Sequence, residues 1–372
     1  MTTTLRYVGL DVHKESISIA VAEANRTPAQ KYATLPNDWP QLRKALERLS
    51  PTLSTLRCCY EAGLTGFELY RRMSEAGINC IVVASALVPK QPGNRIKTDP
   101  RDAVKLAHFL RSGDLVPVYV PDEECEALRD LERGREDAVR AERVARQHVQ
   151  GFLLRHGRIY HGTQWTWDHI DWIRKQKFDS PMQRRVLCDY IKVTEDSGAR
   201  IKQITTDLKE LAEKTKLWPL IKALQAFRGI QLVTAASIAA EIGDFRRFES
   251  ARQFMAYLGL VPSEHSSGES NRRGRITRCG NRWVRTLLVE SAWHYRFPPK
   301  MSRQLRARNQ GVAPGVQRIA WKAQHRLHKR LYRLTARGKR PQQAIVAIAR
   351  ELAGFVWAVG QEEELLAETT MN

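Results

Sequence analysis

This chain of 372 residues lacks three common sequence features. They are Cys-x-x-Cys motifs, a glycine-rich nucleotide-binding turn and long apolar runs. None of its six cysteines forms a Cys-x-x-Cys pair, so the sequence favours neither a zinc site nor a disulfide framework. No Gly-x-Gly-x-x-Gly follows the first predicted strand, which argues against a doubly wound dinucleotide-binding domain. The most apolar late stretch, residues 344–359, contains Arg350 and Glu351 and is too short to cross a bilayer.

A secretory signal is also missing, because the first residues lead directly into a strand-like segment. Together with the unpaired cysteines, this predicts a soluble protein of a reducing compartment, the cytoplasm, without membrane contact. Hydrophobic residues make up 42% of the chain, which indicates a globular protein and not a disordered one.

Acidic residues are scarce in the last part of the chain. Residues 218–372 carry 26 Lys and Arg against 11 Asp and Glu, which accounts for most of the net charge of +21. A large basic excess attracts polyanions over long range, so the composition indicates a nucleic-acid partner for this region.

The first 119 residues are predicted to form an α/β domain. Residues 6–12 and 16–22 alternate with period two and are typical of paired strands. Further elements are predicted as a helix at 38–49, a strand at 55–61, a helix at 65–76, a strand at 78–84 and a helix at 99–112. Strands first, then alternating strands and helices, is the order of an RNase H-like domain, which is the fold that we predict for residues 1–119.

Residues 120–217 are predicted to form a helical arm. A repeat of spacing three and four runs through residues 122–157 and is typical of a long helix or coiled coil, which would serve as an oligomer contact. The seam residues are Leu128, Leu131, Ala138, Ala145, Val149 and Phe152, with Arg135 and Glu142 as exceptions. Three tryptophans follow, and packing is their simplest role, with base stacking as the alternative. They are Trp165, Trp167 and Trp172.

Residues 218–372 are predicted to form a second, mainly helical domain. Segment 227–243 resembles a helix-hairpin-helix element, in which a glycine turn offers backbone N–H groups to a phosphate. Gln231 replaces the usual second glycine of that hairpin.

Four carboxylates follow predicted elements of the first domain. Asp11 and Glu61 each end a strand, and Asp99 and Asp102 lie three residues apart at the start of a helix. Four acids in one cleft repel one another unless cations neutralise them, and hard oxygen ligands favour Mg²⁺, with Mn²⁺ as the alternative. A structural interpretation stays open, since Asp99 before a proline is also a good helix N-cap and Asp102 an ordinary first-turn acid.

A serine-containing loop, residues 262–268, precedes a run of arginines and glycines. A serine hydroxyl needs activation to be a nucleophile, and arginine suits the charge of a phosphoryl transition state. The chemistry alone does not decide whether Ser266 or Ser267 is the nucleophile, and His265 is a possible base. Such loops also occur in proteins that only bind nucleic acid. The candidate nucleic-acid-binding residues are Arg272, Arg273, Arg275, Arg278, Arg282 and Arg285.

These motifs together resemble the insertion-sequence 110 family of transposases, also called bridge-RNA-guided recombinases. The resemblance spans nearly the whole chain. Its segments are 8–14 (Val-Gly-Leu-Asp-Val-His-Lys), 60–63 (Tyr-Glu-Ala-Gly), 96–103 (Ile-Lys-Thr-Asp-Pro-Arg-Asp-Ala), 229–285 and 344–353.

The resemblance implies a RuvC-like domain whose Asp11, Glu61, Asp99 and Asp102 hold Mg²⁺, a coiled-coil arm, and a C-terminal transposase domain. It further implies that Ser267 attacks a DNA phosphodiester and forms a transient phosphoserine link. Family members join the two parts across subunits of a dimer or tetramer. By the same resemblance, a structured noncoding guide RNA would pair with element-end and target DNA and so select the sequence. The protein would associate with the nucleoid when bound to DNA.

Two other functions stay open on the residues. One is a RuvC-like junction endonuclease, in which metal-bound water attacks and the serine only binds. The other is a non-catalytic nucleic-acid-binding protein with structural carboxylates. A covalent protein–DNA adduct that depends on Ser267 separates the first from a recombinase, and metal-dependent cleavage separates the second.

Overall fold

The computed structural model describes residues 5–63, 65–89, 99–267 and 270–362. The chain divides into two compact units, of which the first ends at Val120 and the second begins at Pro121. A further boundary near residue 217, within the second unit, stays a prediction.

The first unit is a five-stranded mixed sheet with helices on both faces. Its strand order is β3-β2-β1-β4-β5, in which β1 pairs antiparallel with β2 and parallel with β4. Every strand and helix predicted for this region is present, within a few residues at each end. The elements are β1 (Arg6–Val12), β2 (Ser16–Glu23), β3 (Gln30–Pro36), α1 (Trp39–Leu49), β4 (Leu56–Glu61), α2 (Glu68–Glu75), β5 (Asn79–Val83) and α3 (Asp99–Ser112).

Strand β3 was not predicted from the sequence. It lies at the edge of the sheet beside β2, and most of its residues are exposed. An exposed edge strand has no buried face, so it lacks the apolar alternation by which β1 and β2 are recognised.

The two faces of the sheet are covered by different helices. Leu10 of β1 packs in one apolar cluster with Leu46 of α1 and Met73 of α2. Helix α3 lies on the opposite face, where Leu106 packs with Cys59 of β4. A sheet buried on both faces keeps its central strands rigid, which fixes the positions of the residues at their ends.

The second unit is mostly helical, as predicted, and its described residues also include a two-stranded hairpin. Its elements are α4 (Glu123–Arg155), α5 (Trp167–Arg174), α6 (Pro181–Lys214), α7 (Trp218–Leu224), α8 (Leu232–Ile242), α9 (Ala251–Tyr257), β6 (Pro262–Ser267), β7 (Ser270–Ile276), α10 (Arg282–Ala292), α11 (Arg303–Arg308), α12 (Pro314–Ala336) and α13 (Pro341–Val359). Residues 262–267, predicted as a loop, form strand β6. The hairpin has little buried apolar surface to mark its strands in the sequence.

The predicted long helix is α4, and it packs antiparallel against α6 of the same chain. In the first half of α4, Arg135 donates a hydrogen bond to Thr205 Oγ1 at 2.8 Å, and near the end of the helix Phe152 packs with Leu187. The seam residues of the repeat therefore face a helix within the chain. A repeat of apolar residues indicates that a partner helix exists but not which chain supplies it. Because α6 covers the seam, an oligomer contact would have to use another surface.

The tryptophans after α4 differ in their surroundings. Trp165 and Trp172 are partly buried in a cluster with Phe152 and Ile173, which agrees with a packing role. Trp167, by contrast, leaves 77% of its surface exposed.

Helix α13 lies at the centre of the second unit's core. Its buried residues Ile345, Ile348 and Leu352 pack in one cluster with residues of α7, α8, α9, α10 and α12. The turn between α7 and α8 passes through Gly229, whose positive φ of 85° and close approach to Ser291 O suit glycine. Among the described residues, no helix is long and apolar enough to span a membrane.

Candidate active site in two parts

Asp11 and Glu61 lie at the ends of two neighbouring strands. Strands β1 and β4 run parallel, and their register pairs Leu10 with Tyr60, one residue before each acid. Because the carboxyl ends of parallel strands meet at one edge of a sheet, the two acids lie side by side there.

Both side chains point to the face of the sheet that α3 covers. A Cβ at Gly9 would lie 2.2 Å from Ala103 O, so this face of β1 is in direct contact with α3. On β4, Cys59 Sγ donates to Leu106 O at 3.6 Å. Side chains two residues apart on a strand share a face, so Asp11 follows Gly9 and Glu61 follows Cys59 onto the α3 side.

The direction of α3 brings its first turn to the same edge. Near the end of α3, Arg111 Nη1 donates hydrogen bonds to Asn25 O at 2.8 Å and to Glu23 O at 3.4 Å. Glu23 pairs with Arg6 at the start of β1, so the end of α3 lies where β1 begins. The helix therefore runs antiparallel to β1, and its N-terminal turn lies at the strand end that carries Asp11.

That first turn contains the other two predicted acids. Asp102 is 16% exposed and its Oδ1 accepts a hydrogen bond from Lys105 Nζ at 2.8 Å. Asp99 begins α3, and its side chain lies outside the described residues. The fold thus brings the backbones of all four predicted positions to one edge of the sheet.

A cleft of about 770 Å³ opens at this edge, and both Asp11 and Glu61 line it. The rest of its lining includes residues of α1 and α2, and Asp102 of α3 is not among the described residues that line it. His13 lies there too, and its Nε2 is 3.2 Å from Asp11 Oδ2. Lys14 and Arg72 also line the cleft. The sequence prediction did not include these three basic residues. His13 and Lys14 could have been found from their positions directly after Asp11, whereas nothing in the sequence around Arg72 of α2 indicates that it lies near the acids.

The donor set fits a hard divalent cation. Asp11 and Glu61 supply carboxylate oxygens on rigid strand ends, which are ligands that Mg²⁺ and Mn²⁺ prefer. Among the side chains that the structure describes, no three His, Cys, Asp or Glu residues come close enough to hold a metal ion, so Asp11, Glu61 and Asp102 do not form such a group. The side chain of Asp99 lies outside the described part, and the four-carboxylate set stays a prediction.

The serine predicted as the nucleophile lies on the β6–β7 hairpin of the second unit. Ser267 ends β6 and its backbone pairs with Ser270 at the start of β7, which places it beside the hairpin turn. Ser266 pairs with Asn271, one step further from the turn. The side chains of His265, Ser266 and Ser267, and all of residues 268–269, lie outside the described part.

The base of this hairpin is held against the end of α9 by two close glycine contacts. Added Cβ atoms at Gly280 and Gly259 would lie 1.9 Å from Tyr257 O and 2.2 Å from Cys279 O. Both glycines have positive φ, as does Arg278 at 57°. Only glycine allows two backbones to approach so closely, so this contact anchors the hairpin to the helical core.

Arg285 of α10 reinforces the same anchor. Its Nη1 donates to Leu258 O at 2.7 Å and to Cys279 O at 3.2 Å. Burial, with Arg278 and Arg282 nearby, lowers the pKa of Arg285. Three positive charges therefore gather at the base of the hairpin, and Arg285 has a structural role there that the sequence did not reveal.

The other predicted arginines whose side chains are described are more exposed than Arg285. Arg272 and Arg275 on β7, and Arg278 and Arg282 beyond it, are exposed to solvent. The side chain of Arg273 lies outside the described residues. The exposed set flanks the serine along one strand and the turn that follows.

Comparison with known proteins gives the class. A model described as Transposase IS116/IS110/IS902 family matches residues 221–306. A second model, named for the DEDD transposase of IS110 elements and described as Transposase, matches residues 8–156. The two matches cover the strand-end acids and the serine hairpin, which defines a DNA transposase, an enzyme that acts on DNA.

Full-length relatives define the family. The putative transposase y4qE of Sinorhizobium fredii is 44% identical over 358 residues, which cover 96% of this chain and 88% of the relative. The transposase for insertion sequence element IS1533 of Leptospira borgpetersenii is 32% identical over 90% of this chain and 98% of its own. The pilin gene-inverting protein of Moraxella bovis is 22% identical over 95% of each chain. This chain belongs to the IS110/IS116 family of transposases, whose DEDD domain implies a RuvC-like fold and dependence on a divalent metal.

Proposed function

We propose that this transposase is a site-specific recombinase that cuts and rejoins DNA through a covalent link to Ser267. The observation that carries the proposal is the position of Ser267 beside the turn of an anchored hairpin whose second strand carries exposed arginines. A nucleophile at a hairpin turn is accessible to a phosphodiester, and the arginines beside it suit the charge of the phosphate.

In this reaction Ser267 Oγ loses its proton and forms a bond to phosphorus while one DNA oxygen leaves and takes up a proton. One phosphate ester replaces another, so the energy of the broken bond is kept in the phosphoserine. The reverse attack by a DNA hydroxyl forms a new DNA–phosphate bond and restores the serine. If the DNA strands exchange between the two steps, the cut ends are joined to new partners without an external energy source.

Asp11 and Glu61 would hold the divalent metal, with Asp99 and Asp102 completing the set. Their positions at one strand-end edge of the sheet support this role. When bound, Mg²⁺ would neutralise charge on the phosphate oxygens and so favour exchange at phosphorus. His13, at 3.2 Å from Asp11, would orient that carboxylate.

Arg272, Arg273, Arg275, Arg278 and Arg282 would bind the nucleic-acid backbone around the serine, and Arg285 would hold the turn that presents them. Bidentate arginine contacts position phosphates without reading bases. A structured noncoding RNA would then supply the sequence choice, and a dimer or tetramer would join the two half-sites. Both belong to the proposal through the family resemblance.

A metal-dependent nuclease without a covalent intermediate is the second candidate. The cleft at Asp11 and Glu61 favours it, because a RuvC-like centre can act through water alone. The name of the Moraxella relative favours the recombinase, because inverting a gene requires that cut strands be rejoined.

The test incubates the protein, the RNA transcribed beside its gene, and element-end DNA with Mg²⁺, followed by denaturing gels for a DNA-linked protein band. We expect the band with the unmodified chain and its loss in both Ser267→Ala and Asp11→Asn. Ser266→Ala is the matched control one residue away and should keep the band. Cleavage that persists in Ser267→Ala without a band would overturn the serine mechanism and establish the nuclease.

A further inference from the structure

Helix α12 has a solvent-exposed face that has no role in the carboxylate site of the first unit or the serine hairpin of the second. Over its 23 residues it carries six Lys and Arg and no Asp or Glu. Its buried side, which includes Val316, Ala320, Leu327 and Leu331, packs in the core of the second unit. The basic residues lie on the opposite side, so the charge forms one continuous exposed face.

Two of these cations are neutralised and four are not. Arg326 Nε and Arg330 Nη1 bind Glu351 of α13 at 3.1 and 2.8 Å. Within the part of the chain that the structure describes, the other four pair with no carboxylate and are exposed. They are Arg318, Lys322, Lys329 and Arg333. At 1.5 Å per residue, this row extends over about 22 Å of the helix.

Aromatic rings follow one edge of the row. Trp321 is 40% exposed and packs edge-on against His325, with 4.7 Å between ring centroids. Tyr332, three turns further along the helix, is 70% exposed. At 100° per residue, both rings lie within about 60° of Arg318 around the helix axis, on the side away from Glu351.

A small pocket opens beside Tyr332. Its volume is about 180 Å³, and its lining includes Trp293, Arg296 and His328. The rest of the lining is mostly apolar, with Leu331, Pro341 and Ile345. Aromatic rings beside a cation are surfaces on which unpaired bases stack.

We propose that the solvent face of α12, defined by Arg318, Trp321, Lys322, Lys329, Tyr332 and Arg333, binds an unpaired nucleic-acid strand. The cations bind successive phosphates, and the exposed rings stack on bases. A duplex keeps its bases stacked inside, so it would use the cations and leave the rings without partners. Single-stranded RNA and single-stranded DNA share this chemistry. The proposal does not rest on the serine mechanism.

The test measures binding of a fluorescent 20-nucleotide single strand to the full chain by anisotropy, without Mg²⁺ and over a range of salt. The triple variant Arg318→Ala, Lys322→Ala, Lys329→Ala should weaken binding and lower the slope of log K against log salt by about 2, at roughly 0.7 per phosphate contact. The matched control is Lys192→Ala, Arg200→Ala, Lys202→Ala, which removes the same charge from exposed positions of α6 and should leave the slope unchanged.

Trp321→Ala tests the rings separately, with circular dichroism as the check on folding. It should weaken single-strand binding on the order of tenfold and leave binding of a duplex of the same sequence unchanged. Arms with RNA and with DNA show which strand binds more tightly. Equal losses in the two triple variants would mean that only net charge matters, and an equal loss for duplex and single strand in Trp321→Ala would mean a plain backbone contact. Either result overturns the proposal, whatever the outcome for Ser267.

Discussion

The two units place their candidate residues by different physical means. In the first unit, Asp11 and Glu61 end strands that are buried on both faces, so the core fixes where they lie. In the second unit, Ser267 lies on a two-stranded hairpin, where the described side chains of Glu264, Arg272 and Arg275 are exposed. An isolated hairpin of two strands is at best marginally stable, so this one depends on its anchor at Gly259, Gly280 and Arg285. The acids of the first unit are therefore held in place by packing, and the serine of the second unit by a few backbone contacts.

A pair of variants tests whether the two parts act across subunits, and we expect the greatest change here. Ser267→Ala and Asp11→Asn should each abolish adduct formation alone. If the parts join across a dimer, random mixing of the two variants makes half of the dimers mixed, and each mixed dimer keeps one intact site, so about a quarter of the sites are restored. Adduct yield against mixing ratio measures this. No recovery after unfolding and joint refolding would mean that both parts come from one chain.

The packing of the first unit is tested at Gly9. Because an added Cβ would meet Ala103 O at 2.2 Å and Ala107 N at 2.4 Å, Gly9→Ala should destabilise this unit by about 3 kcal/mol. Urea unfolding measures the change. Gly134→Ala in α4 is the control, since nothing lies within 4 Å of its added Cβ, and it should stabilise its helix by up to about 1 kcal/mol. Equal stability of the two variants would contradict the close packing of α3.

A buried carboxylate in the second unit predicts a pH dependence of its stability. Glu132 of α4 is 5% exposed, and burial raises its pKa from 4.5 to about 7. Because the folded state binds this proton more tightly than the unfolded state, the contribution of Glu132 to stability is largest below pH 4.5 and is lost as the pH rises through 7. The loss from this group is about 3 kcal/mol.

The measurement compares urea unfolding at pH 5 and pH 8 for the unmodified chain and Glu132→Gln. The amide cannot ionise, so the variant should lose this part of the pH dependence and be the more stable of the two at pH 8. A variant that follows the same pH curve as the unmodified chain would show that Glu132 does not titrate in this range.

The smallest expected effect concerns the anchor of the hairpin. Arg285→Lys keeps the charge but loses the two-carbonyl geometry at Leu258 and Cys279, which should cost about 1 kcal/mol of stability. Adduct formation should fall while affinity for DNA stays within about twofold, because the charge that binds phosphate remains. Arg282→Lys, at an exposed position, is the control and should leave stability unchanged. An equal loss of affinity and adduct would make Arg285 a DNA contact instead.

Sequence patterns predicted the elements that have a buried face. Period-two alternation indicated β1 and β2, and the repeat through residues 122–157 indicated α4. Strand β3 and the β6–β7 hairpin were missed, because exposed strands carry no apolar alternation. The same repeat did not reveal that α6 of the same chain covers the seam, since a period contains no information about which chain supplies the partner.

The residue types of the candidate site and the family to which they belong follow from the sequence alone, because each motif is a short run of neighbouring residues. Tertiary packing sets the direction of α3, which runs antiparallel to β1 and so brings its first turn to the strand end that carries Asp11 and Glu61. Packing also places Arg285 against carbonyl groups and leaves the charge of α12 on one exposed face. These features depend on contacts between residues far apart in the chain, and such contacts are set by packing.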